Sequence, residues 1–403
     1  MNKFIKLGGK DVYGKFSYRE LSDRNIVLKS QFNLCALCGC SITSLNNTEE
    51  HMIPQSIGGR LKVKGFICRS CNSKTGDKWD AELAKQLNPL NLLCNVKRER
   101  SPPPSQNFNT RGGDSFTWNS DGTYSPSKPT FKRSETDEVV KYDIVARDQK
   151  EARRMLNGLK KKHPDIDIED ILSQVSFVSD YLDDPIEMKT QIGGDLSGRS
   201  IVKTALCMVY ASGVDLTFCN LANNYLTNNN AAPCYGYYNE EDLVENREKG
   251  VPIHCVAIKS DAKKNLILGY VEFFGAYRMV VCLSDCYKGE DFYNVYSINP
   301  VNQEIFDINV DLDFSQEDIE PICNYERASF YNFKRAMSDV IERAQAASFD
   351  AERKRVIDLA YAYALEECGI KEGDTIEAVH LEKITQLVMQ KLMPFLIHHS
   401  KNR

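Results

Sequence analysis

Long apolar runs are missing from this chain. None reaches the ~18 residues that a membrane span requires, and the opening MNKFIKLGGKDVYGK has no apolar core of signal-peptide length. A reducing cytoplasm is the expected setting, with no membrane partner. Also absent are an internal repeat, a Walker phosphate loop, a G-x-G-x-x-G between strand and helix, and a Ser-His-Asp arrangement that spacing would support. Histidine is scarce, with six in 403 residues, and only His51 falls in the first hundred. Cysteine is not scarce, at fourteen. Most stand singly, however, and Cys207, Cys219, Cys234, Cys255 and Cys323 show no disulfide-framework spacing.

At this length the chain has room for two or three domains with real cores. Its charge is unevenly spread. Through Arg100 there are 17 Lys and Arg against 9 Asp and Glu, an excess of eight positive charges, whereas the remainder carries an excess of thirteen negative ones. A basic first quarter attracts a phosphate backbone, and an acidic remainder is repelled by it.

The informative stretch lies in that basic quarter. It holds Cys35-Ala-Leu-Cys38, then Glu50-His51-Met-Ile-Pro54, Gly58-Gly59 and Cys68-Arg-Ser-Cys71-Asn72. Two CxxC knuckles supply four thiolates, Cys35, Cys38, Cys68 and Cys71, which close a tetrahedral Zn²⁺ shell with no position open to substrate. Zinc held in this way is structural, so the chemistry must rest on Glu50, His51 and Asn72. Cys40 is expected to be a spare buried thiol. Arg69, Lys74 and Lys78 flank the start of the helix after Cys71, and Lys97, Arg98 and Arg100 form a basic cluster beyond it. All six are candidate nucleic-acid contacts.

These residues, in this order, resemble the HNH (ββα-metal) endonuclease family in the zinc-stapled layout of its recombination endonuclease VII-like members. The resemblance covers residues 1–95. It implies His51 as general base, Glu50 and Asn72 as ligands of a catalytic Mg²⁺ or Mn²⁺, and DNA as substrate, RNA not being excluded. The roles make chemical sense: histidine has the pKa for deprotonating water near neutrality, and a divalent ion can stabilise the departing oxygen. Three departures from the common pattern stand out. Glu50 replaces the usual Asp, Arg60 to Ile67 contains no Asn, and Asn72 stands where many members carry His. Because neighbours on a strand point to opposite sides, Glu50 and His51 share one site only if it is approached from a bend or rim.

The expected fold class is α+β: a ββα-metal, zinc-stapled nuclease domain over 1–100, a linker and short hairpin over 101–137, a mixed domain with an antiparallel sheet over 138–311, and a helical segment over 312–403. A strand or turn is expected over Val12 to Phe16, and helices from Ser17 to Phe32 and from Ser73 to Leu87, the second ending before Asn88-Pro89. The Glu50 to Pro54 segment should pair with the first knuckle, closed by Gly58-Gly59. Further on, a hairpin is expected about Asn119 to Gly122, strands over Val139 to Val145 and Gln174 to Val178, and a buried helix from Ser197 to Ser212. Four strands between Ile253 and Ile298 should form a meander. Three helices follow, Ala328 to Ala347, Ala351 to Cys368 and Ile376 to His399, with His398-His399 solvated. The function of the region from Glu138 onward is not readable, and a protein or small-ligand partner is open there. By the resemblance, restriction or phage defence is the setting, with a homodimer if both strands are cut. Two alternatives stay open: a non-catalytic zinc module that binds nucleic acid, and an effector gated by a C-terminal sensor.

Overall fold

The computed structural model describes residues 16–22, 25–30, 33–135, 140–174, 181–182, 184–187, 192–371 and 373–401. It is an α+β protein. Two compact units are formed, one from described residues up to Pro104 together with those between Thr190 and Ala344, the other from Ser105 to Lys189 with Gln345 onward. These units and the expected division at residues 100, 137 and 311 are different partitions of the chain.

The first unit opens with strands β1 (Phe16–Ser22) and β2 (Asn25–Ser30), which pair antiparallel. A helix was expected over this stretch. The β-branched Ile26-Val27 step suits a ladder better, and Ile26 to Lys29 pair in parallel with Leu61 to Lys64, a partner that helical spacing cannot reveal. The residues before Phe16 lie outside those described. Strand β3 (Glu49–His51) pairs antiparallel with β4 (Leu61–Lys64), so the hairpin partner of Glu50 is β4, not the first knuckle. Gly59 makes the turn between them possible, since a Cβ there would lie 1.8 Å from the Ile53 carbonyl oxygen.

Helix α1 (Arg69–Thr75) continues through a π-helical turn, Gly76–Asp80, into α2 (Ala81–Leu93). The expected stop at Leu87 is overridden and Pro89 lies inside the helix. Leu87, Leu90 and Leu92 are all buried, and that burial outweighs the hydrogen bond that Pro89 cannot donate.

In the second unit, β5 (Gln106–Thr110), β6 (Ser115–Trp118) and β7 (Tyr124–Pro126) form the expected hairpin region, with Trp118 edge-on to Tyr124 at 5.7 Å. Strands β8 (Thr130–Glu135) and β9 (Val140–Val145) pair next, followed by α3 (Gln149–Lys160) and α4 (Ile168–Ser173). The strand expected over Gln174 to Val178 falls, from Val175 on, outside the described residues. A short strand, β10 (Ile186–Glu187), returns to pair with β5.

The centre of the first unit is α5 (Asp195–Ala211), buried at every residue from Ser197 on. It packs on a five-stranded antiparallel sheet, and Gly269 lets it approach: a Cβ there would come 2.9 Å from Ala205 Cβ. After α6 (Asn220–Thr227), the sheet is built from β11 (Tyr235–Tyr237), β12 (His254–Asp261), β13 (Leu266–Phe273), β14 (Tyr277–Ser284) and β15 (Tyr293–Ile298). Its order is β11-β14-β13-β12-β15, so β12 to β14 meander as expected while β15 crosses back to the far side of β12. Side chains alternate between two cores. Val256, Ile258 and Val271 face the core shared with Met52, Ile53, Val63 and α5, and Ala257, Leu268 and Tyr270 face the other.

Helix α7 (Gln316–Cys323) precedes two long helices, α8 (Phe330–Glu367) and α9 (Ala378–Lys401). Two of the three expected C-terminal helices are therefore one, since Ser348-Phe349-Asp350 contains no helix breaker. His398 and His399 are not simply solvated. His398 stacks on Tyr181 at 4.0 Å, and His399 lies 4.5 Å from the ring of Phe395.

Candidate active site and zinc centre

The two knuckles meet through backbone and sulfur. Ala36 N–H donates to Phe66 O at 2.9 Å, Cys68 N–H donates to Cys35 Sγ at 3.3 Å, and Gly39 N–H closes the first knuckle on Cys35 O at 2.9 Å. Cys68 is the N-cap of α1 and Cys71 lies in its first turn. All four sulfurs lie within 4.8 Å of one another, with Cys38 and Cys68 at 3.8 Å. A tetrahedron with arms of about 2.3 Å has edges of about 3.8 Å, so the cluster fits a structural zinc. Cys40, expected as a buried thiol, is exposed and stands outside the cluster.

Strand β3 sends Glu50 and His51 to different neighbours, as its pleat requires. His51 is one-fifth exposed, and its Nε2 lies 3.5 Å from Glu99 Oε2, with no closer partner among the described residues. Its cross-strand partner is Lys62, whose Nζ is 3.3 Å from the same Glu99 oxygen, and Arg60 Nη1 is 3.6 Å from the other. Arg60 is fixed in turn by a bond from Nε to Gln303 and one from Nη2 to Lys97 O at 2.9 Å. Burial pulls the imidazole below the ordinary histidine pKa. Glu99 opposes that shift, while Lys62 and Arg100 reinforce it. The net direction favours the neutral imidazole. Burial also works against ionisation of Glu99, but His51 and Lys62 outweigh it and hold this carboxyl below its usual range.

Glu50 is buried and faces α5. Lys203 Nζ lies 2.5 Å from Glu50 Oε1 and 2.6 Å from Asp80 Oδ2, and Ser200 Oγ donates to Asp80 Oδ1 at 2.6 Å. Burial alone would push the lysine pKa down; Asp80 and Glu50 outweigh it and keep the ammonium charged. Burial pushes the Glu50 carboxyl up, Lys203 pulls it back, and Asp80 adds to the rise.

Asn72 is half-buried on α1, and its Nδ2 donates to Thr48 Oγ1 at 2.9 Å and Glu49 O at 3.5 Å. Its carbonyl oxygen is not used in those bonds and suits a divalent ion. The Glu50 carboxylate does not suit one, because a buried ammonium already lies against it, so Glu50 and Asn72 are not a pair of open oxygens. Arg69, Lys74, Lys78, Lys97 and Arg100 are exposed, whereas Arg98 is half-buried and donates from Nη1 to Pro102 O at 3.2 Å.

A four-cysteine cluster that fits zinc, a short β-hairpin bearing a single imidazole and a helix begun by the second knuckle define a ββα unit. Residues 35–88 match the family model described as HNH endonuclease, and this stretch is accordingly an HNH endonuclease domain. No curated protein and no solved structure matches the chain.

Several site residues were not foreseen: Lys203, Asp80, Glu99, Lys62 and Arg60. For Lys203 a signal existed, since a lone cation in Ile201-Val202-Lys203-Thr204-Ala205-Leu206 must find an acid once that helix is buried. Glu99 gave none, because within Lys97-Arg98-Glu99-Arg100 it reads as solvated linker.

Proposed function

We propose that the chain is an endonuclease that hydrolyses phosphodiester bonds in DNA, with His51 as general base. The observation that carries this reading is a largely buried imidazole set beside Glu99, Lys62 and Arg60 on the four-cysteine frame. Glu99 favours the tautomer with the proton on Nε2, which leaves Nδ1 to take a proton from water. The water oxygen bonds to phosphorus, the bond to the 3′ oxygen breaks, that oxygen takes a proton from solvent, and the ends carry 5′-phosphate and 3′-hydroxyl. Mg²⁺ or Mn²⁺ belongs to this reading through the family; Asn72 could hold such an ion, and no step is routed through it. One site cuts one strand, so double-strand breaks would take a homodimer. A cytoplasmic role in restriction or phage defence fits the same reading.

A second reading, a zinc module that binds nucleic acid without cutting it, is favoured by the engagement of Glu50 with Lys203. Supercoiled plasmid incubated with purified protein and Mn²⁺ or Mg²⁺, beside His51→Ala, separates the two. Nicking that drops at least about a hundredfold in the variant supports the enzyme. Equal binding with no cleavage by either protein supports the module, and competition by RNA tests the substrate class.

A further inference from the structure

The Glu50 carboxylate, on which the HNH resemblance places a divalent ion, already has a cation. Lys203 arrives from α5, more than a hundred residues away in sequence, and its Nζ stands 2.5 Å from Glu50 and 2.6 Å from Asp80. Asp80 reaches this point because the helix after the second knuckle is wound as a π-turn over Gly76–Asp80, a form that re-aims side chains and recurs at functional sites. Ser200, one turn before Lys203, fixes the second oxygen of Asp80. Lys203 is 1% exposed and Glu50 4%.

We propose that the ammonium of Lys203 is the resident cation of the nuclease domain, with Glu50 and Asp80 as its ligands, so that the domain takes up no divalent ion through Glu50. The inference rests on the nuclease reading, since the family resemblance behind that reading is what places a divalent ion at Glu50. Two carboxylate oxygens that converge on one point form a cation site, and here the chain supplies the cation. A hydrated Mg²⁺ or Mn²⁺ keeps several waters and loses them reluctantly, and a buried Glu50 already in contact with an ammonium offers it neither room for those waters nor an unpaired carboxylate oxygen facing the site. Helix α5 is thereby part of the nuclease site.

Mn²⁺ binding to the full-length, zinc-loaded protein tests this, measured by calorimetry and by the electron paramagnetic resonance of free Mn²⁺. The Glu50→Gln protein should bind Mn²⁺ within about twofold of the wild type. Lys203→Met should gain one site at least about tenfold tighter than any in the wild type, and Glu50→Gln/Lys203→Met should lose it. A wild-type Mn²⁺ site that Glu50→Gln abolishes overturns the proposal. Because these substitutions disturb a buried pair, a measurement on the wild type stands beside them: lysine labelling read by mass spectrometry. Lys203 should stay unlabelled with or without millimolar Mn²⁺, and Mn²⁺-dependent labelling of Lys203 also overturns the proposal. Plasmid nicking by the wild type and His51→Ala reports on the nuclease reading separately.

Discussion

Side chains one position apart on β3 live in different electrostatic worlds, Glu50 against a buried ammonium and His51 beside a half-open carboxylate. A third residue joins their domain to the sheet behind it. His254 is fully buried; its Nε2 meets Ile57 O at 2.7 Å and its Nδ1 accepts from Phe274 N–H at 3.2 Å. Burial pulls its pKa from 6.5 to about 4. Below 6.5 the unfolded chain binds a proton that the folded chain refuses, so stability falls as pH drops from 6.5 towards 4. Two and a half pKa units set the loss at about 3 kcal/mol. Urea unfolding across that window should show a shallower pH dependence in His254→Asn than in the wild type; parallel curves would rule out His254 as the titrating group.

Among the elements, the knuckles and α1 are the ones that a zinc held by the four cysteines would support most directly. Cys68 caps α1, and the first knuckle carries little regular structure of its own. Structural zinc contributes its binding energy to folding, so a chelator should raise amide hydrogen exchange across residues 33–75 while β12 to β14 stay protected. Uniform loss across both regions would show that the two melt as one. The knuckles were legible in the sequence because zinc chemistry is local, with its ligands fixed by short spacings. So was α5, from its apolar run, and the hairpin about Asn119 to Gly122, from its turn residues. What could not be read depended on distant partners. Strand β2 exists beside β4, and α2 passes Pro89 because of what it buries. Glu50 and Asp80 meet a lysine 153 and 123 positions further on, a distance that no local pattern spans.

For the molecule as a whole, the HNH domain is not a detachable module, because Met52, Ile53 and Val63 share one core with α5 and the five-stranded sheet. Tyr210 O–H also donates to Gly65 O at 2.5 Å, adding a polar tie to the packing. Basic charge is nonetheless concentrated towards the chain's first hundred residues, so under the proposed function phosphates should be met there. Lys97 and Arg100 are exposed and free to reach a backbone, whereas Arg98 is half-buried and tied to Pro102 O. Each cation that neutralises a phosphate contributes about 0.9 to the slope of log affinity against log salt. Lys97→Ala with Arg100→Ala should therefore lower that slope by about two in a DNA-binding titration over a range of salt, roughly equally for unrelated sequences. Arg98→Ala should act through stability and leave the slope unchanged. A slope indifferent to Lys97 and Arg100 would move the DNA path to the other candidate cations, Arg69, Lys74 and Lys78, which are exposed on α1 and the π-turn that follows it.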